Sequence, residues 1–243
     1  MSIEKLSKII MESDNIVFFG GAGVSTESNI PDFRSESGIY STKNKYGYPP
    51  EYLLSHSFFR DHQKEFFNYY RDNMLHPNAK PNKAHLALGK LEELGKLKAV
   101  ITQNIDGLHQ LGGSRNVLEI HGSVHRNYCL SCGAEYPVDK IQESESIPTC
   151  DKCGGIVRPD VVLYEEGLDM RVMDKAMDYI RKAQVLIVGG TSLNVYPAAG
   201  LVEYFRGKEL VLINKTSTGY DNRATLIFRD SIGEVLDDAL RRI

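Results

Sequence analysis

All four cysteines of this 243-residue chain fall within one stretch: Cys129-Leu-Ser-Cys132, seventeen residues, then Cys150-Asp-Lys-Cys153. Each CxxC knuckle sets two thiolates on one ion, so the pair predicts a tetrahedral four-cysteine zinc site. Four thiolates fill the coordination shell and leave no open position, which makes the zinc structural. In a reducing compartment such clustering favours metal over disulfides. A redox role would need a thioredoxin-like βαβ unit around the motif, and none surrounds it. The stretch is poor in apolar residues, so metal ligation supplies much of its folding energy. Any fold for this chain must therefore accommodate a small metal-held insertion at 124–157.

What the insertion interrupts is an alternation of short apolar strands and helices. Ile3, Leu6, Ile9 and Ile10 have helical spacing, and Asn15-Ile-Val-Phe-Phe19 reads as a buried strand. Helices are predicted over 61–75, ended by His76-Pro77, and over 83–94, capped by Gly95. Strands are predicted at 97–102, 185–188 and 210–213, and helices at 170–183, 197–205 and 232–241. This rhythm indicates an α/β fold, a parallel sheet with helices on both faces. The expected division is a Rossmann-like sheet domain (1–30, 81–123 and 158–243) with a smaller zinc-binding and helical domain. The latter comprises a helical module and loop at 31–80 and a zinc ribbon at 124–157.

A formal net charge of -3 lacks the basic footprint of a nucleic-acid binder, so no direct nucleic acid binding is expected. The first fifteen residues lack the apolar core of a signal peptide, and no apolar run approaches membrane-spanning length. A cytoplasmic monomer without membrane contact is the expectation.

Two glycine turns follow predicted strands. Phe18-Phe-Gly-Gly-Ala-Gly-Val-Ser25 opens a short helix, where glycines admit a pyrophosphate to backbone N–H groups. It is neither a clean GxGxxG nor a P-loop. Val185-Leu-Ile-Val-Gly-Gly-Thr-Ser192 repeats the logic, and the pair together suits a dinucleotide. Thr102-Gln-Asn-Ile-Asp106 follows a third strand, with Asp106 suited to a carboxamide or to a helix cap. Glu119-Ile-His-Gly-Ser123 offers His121 as a general base, with His85, His109 and His125 as chemical rivals.

Taken together these residues resemble the sirtuin family of NAD-dependent protein-lysine deacetylases. The matches are Gly21-Ala-Gly-Val-Ser25, Ile30-Pro-Asp-Phe-Arg-Ser35, Gln103-Asn-Ile-Asp106, His121-Gly122, the cysteines, Arg158-Pro-Asp-Val-Val162, Gly190-Thr-Ser-Leu193 and Asn214. The resemblance implies that NAD is consumed as a co-substrate and that one structural Zn2+ is bound. Ala22, Gly23, Ser25 and Thr26 would surround the pyrophosphate and adjoining ribose. Phe33 would shield the nicotinamide end and Arg34 would lie near the phosphate. Gln103 and Asn104 would order the nicotinamide ribose, with Asn104 and His121 catalytic. Ile105 and Asp106 would take the carboxamide. Gly190, Thr191, Ser192, Asn214 and Ile232 would line the adenosine half. Val161, Val162 and Leu163 would pair with the acetyl-lysine substrate as an added strand. The implied products are lysine, nicotinamide and O-acetyl-ADP-ribose.

This chain departs from the family pattern at three places. Asn29 and Glu165 stand where the family usually has glycine, and Asn tolerates a positive φ better than most residues. Succinyl-removing members carry Tyr and Arg where this chain has Phe67 and Tyr70, so an anionic acyl group is disfavoured unless Arg71 substitutes. Mono-ADP-ribosyl transfer, an NAD-sensing module without turnover and a zinc-ribbon adaptor are the rival readings.

Overall fold

The computed structural model describes residues 2–32 and 46–243. Nine strands in chain order are β1 (Ile16–Gly20), β2 (Leu97–Thr102), β3 (Val117–Glu119), β4 (Gly122–Cys129), β5 (Glu135–Tyr136), β6 (Val157–Val161), β7 (Val185–Gly189), β8 (Glu209–Ile213) and β9 (Leu226–Phe228) among the described residues. Six of them form one sheet in the order β3-β2-β1-β7-β8-β9, every neighbouring pair parallel. The order runs outward from β1 in one direction and from β7 in the other, as in doubly wound dinucleotide-binding sheets.

Alternate residues of each central strand enter different cores, as the two-residue period of a strand demands. Ile16, Phe18, Val185, Ile187, Val211 and Ile213 pack on one face beneath helices Ser2–Glu12, Lys83–Glu93 and Ile232–Leu240. Val17, Phe19, Leu186, Val188, Leu210 and Leu212 pack on the other, against helix Met170–Lys182 and the 3-10 turn Ala198–Tyr204. Strands buried on both faces read as unbroken apolar runs, which is why they were legible.

A third core lies outside this sheet. It joins Leu53, Phe58, Phe66, Phe67, Tyr69 and Tyr70 to Val124, Cys129, Ile141, Cys150, Val157 and Val161. The helices His56–Asp61 and Gln63–Asn73 thus pack on the antiparallel sheet β5-β4-β6 that carries the cysteines. Two differences from expectation stand out. The segment predicted as a helix from Pro197 to Phe205 is a 3-10 turn over Ala198–Tyr204. The three-residue strands β3 and β9 edge the sheet where no strand was predicted; three residues are too few to show a strand period.

Candidate active site and metal centre

The sheet order reverses between β1 and β7, and both glycine turns leave the C-terminal ends of these two strands. They pack directly on each other. Gly23 N–H donates to the Gly190 carbonyl at 2.8 Å and Gly21 N–H to the Gly189 carbonyl at 3.3 Å. A Cβ at position 23 would meet the Gly190 Cα at 2.8 Å, and Gly190 itself stands at φ +59. Only glycine fits both places. The turns form a glycine-lined cradle at the crevice where α/β sheets take ligands. Close-packed glycine backbone at such a crevice suits the approach of a pyrophosphate.

Polar groups from β2 close one side of the cradle. Ser25 Oγ donates to Asp106 Oδ2 at 2.6 Å and accepts from Asn104 Nδ2 at 3.0 Å. Asp106 Oδ1 also accepts from Leu108 N–H at 2.9 Å, one residue ahead of the Gly107 cap of helix Leu108–Leu111. Gln103 Nε2 donates to Thr191 Oγ1 at 3.1 Å and ties the β2 loop to the second glycine turn. Thr26 Oγ1 donates to the Gly23 carbonyl and steadies the first turn. Ile105 accepts from Val124 N–H through its carbonyl and packs on the third core. Asn29 takes φ +62, the left-handed geometry expected there.

His121 lies in the turn between β3 and β4. Its Nδ1 is 3.0 Å from the Gln103 carbonyl. A carbonyl only accepts, so Nδ1 carries the proton and Nε2 keeps its lone pair. Burial pushes the imidazolium form down, and the Gln103 bond only partly opposes this. The result is a neutral histidine with a basic nitrogen beside the polar network. The rivals are placed otherwise. His85 and His109 are 0% and 1% exposed, with rings 4.7 Å apart in an edge contact. His125 Nε2 is engaged by the Asp106 carbonyl at 3.0 Å.

Ser192 is half-buried after Thr191, and Asn214 follows β8 with its side chain donating to Thr216. Ile232 begins the last helix and lies against Gly189, where a Cβ would meet its Cδ1 at 2.1 Å. Phe33 and Arg34 lie outside the described residues. Two anchors were not foreseen. Asn82 caps helix Lys83–Glu93 and donates to the Val24 carbonyl at 2.7 Å, and its position before Lys83 was a readable cap signal. Glu27 accepts from Gly233 N–H at 3.0 Å, a long-range contact with no local signature.

The expected substrate edge continues β6. Val161 pairs with Gly122, Val162 N–H donates to the His121 carbonyl, and Leu163 N–H donates to Glu166 Oε2 at 2.9 Å. Gly122, at φ +79, admits the Asp160 carbonyl where a Cβ would sit. Arg158, 8% exposed, grips Glu166 through both terminal nitrogens at 2.8 and 3.0 Å. Burial would raise the Glu166 carboxyl, but the Arg158 and His56 bonds outweigh it and hold it down at about 2. Phe67 and Tyr70 are fully buried. Arg71 reaches the other way, to the Ser146 carbonyl and Asn68 Oδ1, so it is not a substitute for the missing arginine.

The four cysteine sulfurs lie within 4.8 Å of one another. Cys129 to Cys153 is 3.5 Å and Cys132 to Cys150 is 3.6 Å. Tetrahedral zinc with Zn–S of about 2.3 Å places sulfurs about 3.8 Å apart, so the tetrad fits the ion. Tyr136 Oη donates to Cys150 Sγ at 3.1 Å and accepts from Asp151 N–H, orienting this ligand.

Known proteins bear on this arrangement. A curated NAD-dependent protein deacetylase of Clostridium acetobutylicum is 62% identical over 98% of both chains. One of Cutibacterium acnes is 53% identical, covering 100% of this chain and 99% of its own. A solved Sir2–p53 peptide–NAD+ complex superposes with a TM-score of 0.86 at 38% identity, over 100% of this chain and 98% of that one. Sir2Tm bound to a propionylated peptide gives 0.86 at 37% identity, with the same coverage. The Sir2 family profile matches residues 21–197. The cradle at the sheet's switch point, the cysteine tetrad and these likenesses over the whole chain agree, and the protein belongs to the Sir2 family.

Proposed function

We propose that this protein removes acetyl groups from lysine side chains of proteins and consumes NAD, releasing nicotinamide and O-acetyl-ADP-ribose. The observation that carries the reading is the meeting of three strand ends. The glycine cradle, the Asn104–Ser25–Asp106 network and the free Nε2 of His121 come together at the ends of β1, β7 and β2. NAD, when bound, supplies an activated ribose carbon that takes the acetyl oxygen as nicotinamide departs. The protein's own groups do the rest. Ala22, Gly23, Ser25 and Thr26 hold the diphosphate, and Gly190, Thr191, Ser192, Asn214 and Ile232 hold the adenosine half. Ile105 and Asp106 orient the carboxamide, while Gln103 and Asn104 order the ribose next to it. His121 takes a proton from a ribose hydroxyl at Nε2. Phe33 and Arg34 complete the nicotinamide and phosphate ends.

Val161, Val162 and Leu163 lead into the edge that the substrate joins, the Val162 and Leu163 amides being held by the His121 carbonyl and Glu166. The cysteine tetrad holds a structural Zn2+ and does no chemistry, because a full thiolate shell has no place for water. Segments 31–80 and 124–157 act as the small domain against the rest; the apolar core joining Leu53, Phe58, Phe66 and Tyr69 to Val124, Cys129, Ile141, Cys150 and Val157 supports that grouping. Clustered cysteines that bind metal suit the reducing cytoplasm. The test is mass spectrometry of an acetyl-lysine peptide incubated with the protein, with and without NAD. Loss of the acetyl mass only with NAD, together with O-acetyl-ADP-ribose, is expected. An unchanged peptide refutes the reading.

A further inference from the structure

Glu165 stands at φ +74, left-handed backbone in which a side-chain-bearing residue is strained. Something must hold it there. Its carboxylate Oε2 accepts from both the N–H and the hydroxyl of Ser57, at 2.9 and 2.7 Å. The hydroxyl bond first, then the amide bond, hold this carboxyl below its ordinary range. The next residue reaches in a different direction. Glu166 is bound by Arg158, by His56 Nδ1 at 2.9 Å and by Leu163 N–H. Beside them, Tyr164 N–H donates to the Leu54 carbonyl, and His56 N–H donates to the Tyr164 carbonyl.

Segment 163–166 is therefore bolted to residues 54–57 of the helical module by two successive carboxylates and a backbone bridge. The amides of Val162, Leu163 and Tyr164 are all consumed by these internal bonds. Among the described residues, no hydrogen bond engages the backbone N–H or carbonyl of Glu165 itself. An added strand needs open backbone groups of this kind, held in a fixed direction. A glycine would adopt the same φ without strain but would lack the anchor.

We propose that Glu165 is a positioning residue for the protein substrate: its clasp on Ser57 fixes the turn so that the open backbone at Glu165 faces the acyl-lysine peptide. The inference rests on the deacetylase reading and deepens it. Without the clasp the turn samples other conformations, and the apparent affinity for peptide falls with the competent fraction. Binding of NAD at the glycine cradle is untouched.

The experiment is steady-state kinetics of the full chain on one acetyl-lysine peptide, for the parent, Glu165→Gly, Glu165→Gln and Ser57→Ala. Glu165→Gly should raise the peptide KM by about fivefold, the effect of a competent fraction near one fifth. Its kcat and its KM for NAD should hold, and it should melt near the parent because glycine is unstrained at that φ. Glu165→Gln retains an acceptor oxygen for both Ser57 donors and should bring the peptide KM back toward the parent. Ser57→Ala should raise it in the same direction, less strongly, and add little on top of Glu165→Gly. An active parent whose Glu165→Gly variant keeps the parent peptide KM overturns the clasp alone. So does a variant in which kcat falls and the peptide KM stays. A parent that never deacetylates with NAD overturns the functional reading, and the clasp's role with it.

Discussion

Replacing His121 by alanine tests the chemistry most directly. The Gln103 carbonyl fixes the proton on Nδ1 and leaves Nε2 as the base. Burial lowers the imidazolium below its ordinary range, against the opposing Gln103 bond, so the neutral form is favoured near neutral pH. The base is thus fully available at physiological pH. Its removal should lower deacetylation by about 10²–10⁴-fold, equal to about 3–5 kcal/mol of barrier. The backbone of the loop is held by other bonds, namely Ile120 N–H to the Thr102 carbonyl and Val162 N–H to the His121 carbonyl, so the fold should survive. NAD should still raise the melting temperature of the variant, because the cradle is backbone. The parent's rate should also fall tenfold per pH unit on the acid side, with its midpoint shifted below that of an ordinary imidazole, since only the neutral form accepts a proton. Continuous release of deacetylated peptide, followed from pH 5 to 9, reads both effects. A variant that deacetylates at the parent rate, or that keeps the parent's acid limb, assigns the base elsewhere.

Cys150→Ala leaves three thiolates and should lose stoichiometric zinc, measured by metal analysis, together with order in β5-β4-β6 measured by hydrogen exchange; a variant that keeps both refutes a structural ion. Acetyl-lysine should exceed succinyl-lysine in kcat/KM on one peptide, because Phe67 and Tyr70 offer a buried carboxylate no cation and Arg71 is engaged by the Ser146 carbonyl; equal turnover of the two refutes this. Burial depresses His85 to about 4 and His109 to about 3, against about 6.5 when unfolded, so the unfolded chain binds protons first as pH falls. Stability should therefore drop below about pH 6.5 by about 1.4 kcal/mol per pH unit for each of the two, until their folded values are passed. A urea midpoint that is the same at pH 7.5 and 5 contradicts that sign.

Much of what is local in this molecule was legible in its residues. Strand β2 falls on the predicted 97–102, and β1, β7 and β8 begin or end within one residue of expectation. Their alternate side chains are apolar on both faces, and no other element explains so short an apolar run. The cysteine spacing defined a metal knuckle because the ligands must converge within a few residues. Asn29 at φ +62 follows from side-chain chemistry at a tight turn.

Sequence alone therefore determined the α/β class, the strands of the sheet's centre, the tetrad and the residues offered to the site. Tertiary structure decided the relations between distant segments. It set Gly23 against Gly190, whose turns lie at opposite ends of the chain, and it added the half-buried edges β3 and β9. It set His121 Nδ1 against the Gln103 carbonyl and buried His85 and His109 against each other. It turned Glu165 toward Ser57 and Arg71 toward Ser146. The physical reason is one of range. Periodicity and ligand spacing act over a few residues, whereas a tautomer, a charge partner or a strained φ is set by whichever atoms the fold brings within about 3 Å.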